Sequence, residues 1–208
     1  MPSFNSDLQT PNSEPGTRNS DFPQEHCHET RQRLFSHIVR IGILSDTHGR
    51  IESARAGLSA LRAANAEFLA HCGDIGGQEI IDLLAAAGAP SVFVFGNCDF
   101  DQPALAHYAE AVGVRCEPVL AELELAGKRI AVTHGDRTKL MQQIINEGKC
   151  DYLLHGHTHI MRDEKVGTVR IINPGALYRA KQLTVATLDL ETGILRFLPI
   201  DCPDHSSS

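Results

Sequence analysis

No two cysteines in this chain of 208 residues stand at CxxC spacing, although there are six, at 27, 72, 98, 116, 150 and 202. That absence excludes a zinc ribbon and a thioredoxin-type redox motif, and the six read as reduced thiols. The first thirty residues hold no apolar run that would serve as a secretory signal, so an extracellular disulfide framework is not expected. No stretch approaches the roughly 18 apolar residues of a membrane helix. The longest apolar runs, such as Ser91-Val-Phe-Val-Phe95, have the length of buried strands. Basic charge does not dominate either: 19 Lys and Arg against 26 Asp and Glu leave −7, which argues against extended nucleic-acid binding by blanket phosphate neutralisation. These absences lead to the expectation of a cytoplasmic protein with no membrane partner.

What is present fits a folded globule, with 42% hydrophobic and 22% charged residues. At about 150 residues per domain, the length allows one domain with appendages. Residues 1–36 are rich in Ser, Asn, Pro, Gln and charge, and are expected to form a disordered tail. The pair His26-Cys-His28 within it reads as solvated side chains. The domain is expected over 37–202, followed by a flexible end over 203–208. From Ile38 onward, β-branched runs alternate with alanine-rich amphipathic segments, the pattern of a layered α/β domain. Strands are predicted at 38–44, 68–71, 92–95, 119–125, 129–132, 152–154, 169–172, 183–188 and 194–200, the last few forming an antiparallel end. Helices are predicted at 53–64, 79–87 and 139–147.

Five short segments stand directly after predicted strands: Asp46-Thr-His48, Gly73-Asp74, Gly96-Asn-Cys-Asp99, His134-Gly-Asp136 and Gly156-His-Thr-His159. Open α/β sheets gather ligand chemistry at the carboxyl ends of their strands, where neighbouring loops converge. The side chains offered are carboxylate, imidazole and one carboxamide, a mixed O/N set suited to Mn, Fe, Zn, Ni or Mg. Seven candidate ligands, Asp46, His48, Asp74, Asn97, His134, His157 and His159, are too many for one four-coordinate ion. They suit two divalent ions sharing a bridging carboxylate. Such a pair lowers the pKa of a bridging water and makes hydroxide available near neutral pH.

The segments Ser45-Asp-Thr-His-Gly49, Cys72-Gly-Asp74, Gly96-Asn-Cys-Asp99, Thr133-His-Gly135, Gly156-His-Thr-His159 and Asn173-Pro-Gly175 together resemble the calcineurin-like metallophosphoesterase superfamily. Within it the chain is similar to the small bacterial and archaeal phosphodiesterases of the YfcE type, from about Ile38 to Ile200. The resemblance implies a four-layer αββα sandwich of two mixed sheets flanked by helices, in a single domain. It implies one metal held by Asp46, His48, Asp74 and His159, and a second held by Asp74, Asn97, His134 and His157. The implied activity is metal-dependent hydrolysis of a small phosphodiester. A phosphomonoesterase or nucleotide pyrophosphohydrolase on the same metals, and a scaffold like the retromer small subunit, are the alternatives. A homo-oligomer is compatible with this family.

Two positions depart from the pattern. Cys98 stands where many members have a histidine after the asparagine, and a thiol is a poor proton donor. Modest activity, better on good leaving groups, is therefore expected; the other reading of Cys98 is a buried small hydrophobe. Asp99 is expected to orient a neighbouring histidine or water, which makes Asn97, Cys98 and Asp99 the candidate catalytic residues. Asp136 replaces a second histidine and reads as a support for His134, a substrate contact or a turn residue. His71, His107 and His155 read as structural, Asn173-Pro-Gly175 as a turn under the site, and Arg179 and Lys181 as candidates to meet phosphate.

Overall fold

Short strands buried on both faces, each returned by a helix, build the first of two sheets. A computed structural model describes residues 39–202. The expected tail, His26-Cys-His28, His37, the expected C-terminal end and His205 lie outside the described residues. The chain runs β1 (Arg40–Leu44), α1 (Ile51–Ala63), β2 (Phe68–His71), α2 (Gln78–Ala85), β3 (Ser91–Val94), α3 (Gln102–Ala111) and β4 (Arg115–Glu117). It continues β5 (Leu120–Leu125), β6 (Lys128–Thr133), α4 (Thr138–Glu147), β7 (Tyr152–Leu154), β8 (Arg162–Val166), β9 (Val169–Asn173), β10 (Leu183–Asp189) and β11 (Leu195–Ile200).

The first sheet has the order β11-β10-β1-β2-β3-β4, with β1 to β4 parallel and β10 and β11 antiparallel at one edge. The second is β5-β6-β7-β9-β8, with β6, β7 and β9 parallel between antiparallel edge strands. The period of two along each strand sorts side chains between the layers. Ile41, Ile43, Val92 and Val94 of the first sheet meet Leu123, Ile130, Val132 and Leu154 of the second in the central core. Leu44, Leu69 and Phe93 turn the other way, onto Leu61, Ile80, Ile81 and Leu84 of the helices. On the far side, Met141, Ile144 and Ile145 of α4 cover Ala131, Leu153 and Ile171. The result is the expected αββα sandwich of two mixed sheets in one domain.

Three elements lie beyond the sequence reading: α3, β4 and β8. The antiparallel end is also rearranged. Strand β9 pairs with β7 in parallel, and the β10–β11 hairpin returns to the first sheet beside β1. This topology points the carboxyl ends of β1, β2 and β3 and of β6 and β7 toward one place, since the site loops that follow them are hydrogen-bonded to one another.

Candidate metal centre

Six of the seven expected ligands converge through the loops that leave those strands, with His157 at the rim. Asp46 N–H donates to the Gly73 carbonyl at 3.0 Å and His48 N–H to the Asp74 carbonyl at 2.9 Å, stitching the β1 loop to the β2 loop. Within the second sheet Gly156 N–H donates to the His134 carbonyl at 2.9 Å, and that sheet joins the first through His157 N–H on Asp46 Oδ2 at 3.1 Å. Asp46, His48, Asp74, His157 and His159 all adopt positive φ, between 45° and 67°. That left-handed region is costly for residues with a Cβ, and such strain clusters at functional sites.

Two glycines let the loops approach so closely. A Cβ on Gly96 would fall against the Asp74 carboxylate and 2.6 Å from its backbone nitrogen. One on Gly156 would collide with the Ser45 hydroxyl and lie 2.5 Å from Asp46 Oδ2.

The imidazoles are oriented from behind. His134 Nδ1–H donates to the Cys72 carbonyl at 2.8 Å, which turns Nε2 toward Asp74 Oδ2 at 3.4 Å and Asn97 Oδ1 at 3.1 Å. His159 Nδ1–H donates to the Arg179 carbonyl at 3.3 Å and presents Nε2 to Asp46 Oδ1 at 3.2 Å. His48 Nε2 stands 3.4 Å from Asp74 Oδ2. Lone pairs thus face lone pairs, and the buried Asp46 Oδ1 and His48 Nε2 have no hydrogen-bond partner. Such a set calls for a cation at its centre, and carbonyl-anchored imidazoles are a usual way of presenting nitrogen to a metal. Asp46 with His48 and His159, Asp46 with Asp74 and His134, and His48 with Asp74 and Cys98 form three groups whose ligand atoms all lie within 4.8 Å of one another. The residues present therefore fit a divalent metal.

Charge follows the same geometry. Burial opposes ionisation of Asp74, but contacts from His134 and the Cys98 N–H, at 2.8 Å, hold it well below the usual carboxylate range. Burial lowers His48 despite Asp74 and Asp46, which keeps it a neutral donor. Burial also acts to lower His134, yet Asp74 and the Cys72 carbonyl hold it above the ordinary histidine value. Asp46 does the same for His159. A proton can therefore occupy these places and compete with a metal there.

The remaining candidates separate. Asn97 and Cys98 line a cleft of about 650 Å³ with His48, Asp74, His157 and His159. The Cys98 side chain stands in that wall half-buried, and burial together with Asp74 raises its thiol, so it stays protonated. The buried carboxylate of Asp99 accepts the N–H groups of Gly96 at 2.8 Å and Gly76 at 2.9 Å, so it ties two loops together. Asp136 and Lys181 do not line the cleft. His157, exposed like Asn97, places its ring 5.0 Å from that of His134. Asn173 does act from beneath: its amide donates to the Gly156 carbonyl at 2.8 Å and to Thr158 Oγ1 at 3.1 Å.

Sequence reasoning missed Arg50 and Tyr178, which line the cleft beside Arg179. Each stands alone, with no spacing to mark it, although Arg50 directly follows the Asp46–Gly49 loop. It also left His71 without a task. That buried ring accepts the Gly73 N–H on Nδ1 at 3.2 Å and donates from Nε2 to Thr47 Oγ1 at 2.9 Å. It thereby joins the loops that carry Asp46, His48 and Asp74.

Comparison with known proteins agrees with this geometry. The family model described as the calcineurin-like phosphoesterase superfamily domain matches residues 39–193. Phosphodiesterase MJ0936 of Methanocaldococcus jannaschii is 28% identical over 158 residues, covering 74% of this chain and 94% of that protein. The probable metallophosphoesterase YsnB of Bacillus subtilis is 27% identical, covering 76% and 90%. Among solved structures, an archaeal phosphodiesterase superposes with a TM-score of 0.72 at 27% identity, covering 77% of this chain and 99% of its own. The Escherichia coli phosphoesterase YfcE shares the fold at a TM-score of 0.55 and 18% identity, covering 78% and 100%. With the matched model spanning the whole site, this chain belongs to the calcineurin-like phosphoesterase superfamily.

Proposed function

We propose that the protein is a phosphodiesterase that works with two divalent metal ions, manganese foremost and Ni, Mg, Zn or Fe as alternatives, on a small phosphodiester. The observation that carries this reading is the facing of acceptors: Asp46 Oδ1 toward His159 Nε2, and Asp74 Oδ2 toward both His48 Nε2 and His134 Nε2. Asp74 is the shared member, reached from both sides. When bound, divalent ions supply a water of lowered pKa and neutralise phosphate oxygens.

The chain's own residues do the rest. His134 and His159 are locked by carbonyls so that Nε2 faces inward. Asn97 contributes a neutral oxygen that adds no charge against an anionic substrate. Asp99 holds the loop from which Asn97 projects. The protonated Cys98 thiol offers the leaving group little help, so an activated aryl ester is the suitable probe. A scaffold role would not require this full set of coordinating side chains.

The test is hydrolysis of bis(p-nitrophenyl) phosphate with Mn or Ni, before and after chelation, beside metal analysis of the protein. Activity is expected to need the metal, to vanish with chelator and to return on re-addition. Asp74→Ala should lose both activity and bound metal. Absence of bound divalent ion together with no hydrolysis after Mn addition overturns the proposal. Faster turnover of phosphomonoesters than diesters would reassign the substrate.

A further inference from the structure

The cleft holds two cations that the metal chemistry does not use. Arg50, immediately ahead of α1, and Arg179, in the loop after β9, both reach the ring of Tyr178, with guanidinium carbons 4.7 and 5.0 Å from its centroid. Tyr178 in turn packs on His48, with ring centroids 5.0 Å apart. The Arg179 backbone sits at φ 47°, a left-handed conformation in which its carbonyl takes the His159 Nδ1–H. One strained residue thus positions a ligand with its backbone while its side chain lies on Tyr178. Neither guanidinium has a carboxylate at ion-pair distance among the described residues, unlike Arg40, Arg115, Arg162 and Arg170.

An unpaired guanidinium is a planar fork suited to phosphate oxygens, and stacking on an aromatic ring fixes its direction before the ligand arrives. The Tyr178 ring is taken up by these contacts and by His48, so it serves to aim charge more than to stack a base. A phosphodiester carries a single negative charge, on the phosphate that the ligand cluster receives. Two further cations on the His48 and His159 flank are matched by a second anionic group on the same molecule.

We propose that Arg50 and Arg179, aimed by Tyr178, form a second phosphate subsite, so that the preferred substrate is a phosphodiester with an additional terminal phosphate on one arm. This rests on the phosphodiesterase reading above.

A matched pair of esters tests it: thymidine 5′-(p-nitrophenyl phosphate), and the same compound with a 3′-phosphate. They share leaving group and nucleoside and differ by one phosphate. The 3′-phosphate should raise kcat/KM about 10-fold, mostly through KM, the scale of one charge-assisted contact. Equilibrium binding provides a second readout: thymidine 3′,5′-bisphosphate should bind tighter than thymidine 5′-phosphate by the same ratio. Arg50→Gln and Arg179→Gln should each bring both ratios down to about 2-fold or less, and Arg50→Lys, which keeps charge but not the fork, should fall between. Tyr178→Ala should also reduce the ratios, although both arginines remain. Lys181→Gln, a charge loss outside the cleft, should leave them unchanged.

Ratios near unity in the unmodified protein, or ratios lost equally in Lys181→Gln, overturn the subsite. If neither ester is hydrolysed with Mn present, the phosphodiesterase reading fails while the nucleotide-binding ratio still decides the subsite. If both esters are cleaved and bound equally well, the subsite fails and that reading stands.

Discussion

Among individual residues, histidine explains most of what is unusual here, because the same side chain takes opposite roles according to its partners. His71 is fully buried and its value falls to about 4, chiefly because burial disfavours the imidazolium. In the unfolded chain it titrates near 6.5, as histidine ordinarily does. Between those values the unfolded state binds a proton that the native state refuses, so stability rises with pH through the window. The contribution is complete above about pH 6.5 and is lost as pH falls to about 4. His155, also lowered to about 4 by burial, has the same sign. His134 and His159 are raised and act oppositely: their contribution is present below the unfolded value and fades as pH rises through their native values. Urea unfolding in chelator from pH 6.5 to 4 should therefore show His71→Gln with a slope shallower by up to ~1.4 kcal/mol per pH unit. An unchanged slope would mean that native His71 is already charged and that its bonds to Gly73 and Thr47 are wrongly assigned. The clustering of the candidate ligands was legible in the sequence because aspartate and histidine after strands have few bland explanations as a set. The tie from Asp99 to Gly76 was not legible, because its partner comes from another loop, a contact that spacing along the chain does not encode.

Elements were legible where their apolar residues form a buried run or a regular period, and illegible where they form neither. Strands β2 and β7 match the predicted ranges residue for residue, since their apolar runs are buried throughout. Strand β8, Arg162–Val166, is almost wholly charged and lies at a sheet edge, where such residues discourage further pairing and leave no hydrophobic pattern to read. Strand β4 is a three-residue edge strand, and α3 buries only Leu105 and Ala109, so its early proline was its best sequence signal. The loops between elements carry a sharper constraint than the elements do. Gly96 has no room for a Cβ against Asp74, so Gly96→Ala must displace the carboxylate shared by the whole centre. We expect a loss of ~1–3 kcal/mol in stability, as for overpacked sites generally, and a fall in metal affinity of about 10- to 100-fold. Gly88→Ala provides the comparison, because its positive φ of 75° is strained for alanine but nothing lies within 4 Å of the added methyl. It should cost stability alone. Equal metal affinity in the two variants, measured by titration with Mn, would remove the steric argument for Gly96.

At the scale of the whole molecule, the centre lies where the two sheets meet. Asp46, His48, Asp74 and Asn97 follow strands of the first sheet, and His134, His157 and His159 follow strands of the second. Asp46, Asp74 and Asp99 bring three carboxylates to the place where divalent cations are proposed to bind, beside the two guanidinium groups of Arg50 and Arg179. Elsewhere the sheets are joined by the apolar core, which is non-directional, whereas a shared metal centre would bridge them at fixed points. An ion that binds only the folded state stabilises it by mass action, by ~2.7 kcal/mol at one hundred times its dissociation constant. For a domain of this size that corresponds to roughly 5–10 °C in Tm for each site. Saturating Mn should thus raise Tm by that amount, and Asp74→Ala should remove the increment. Hydrogen exchange can then locate the effect. Amides of Asp46 to Gly49 and Gly73 to Asp74, from the first sheet, should gain protection together with those of His134 and Gly156 to His159, from the second. Protection confined to one group of loops would place the ion within a single sheet and count against Asp74 as the bridge between them.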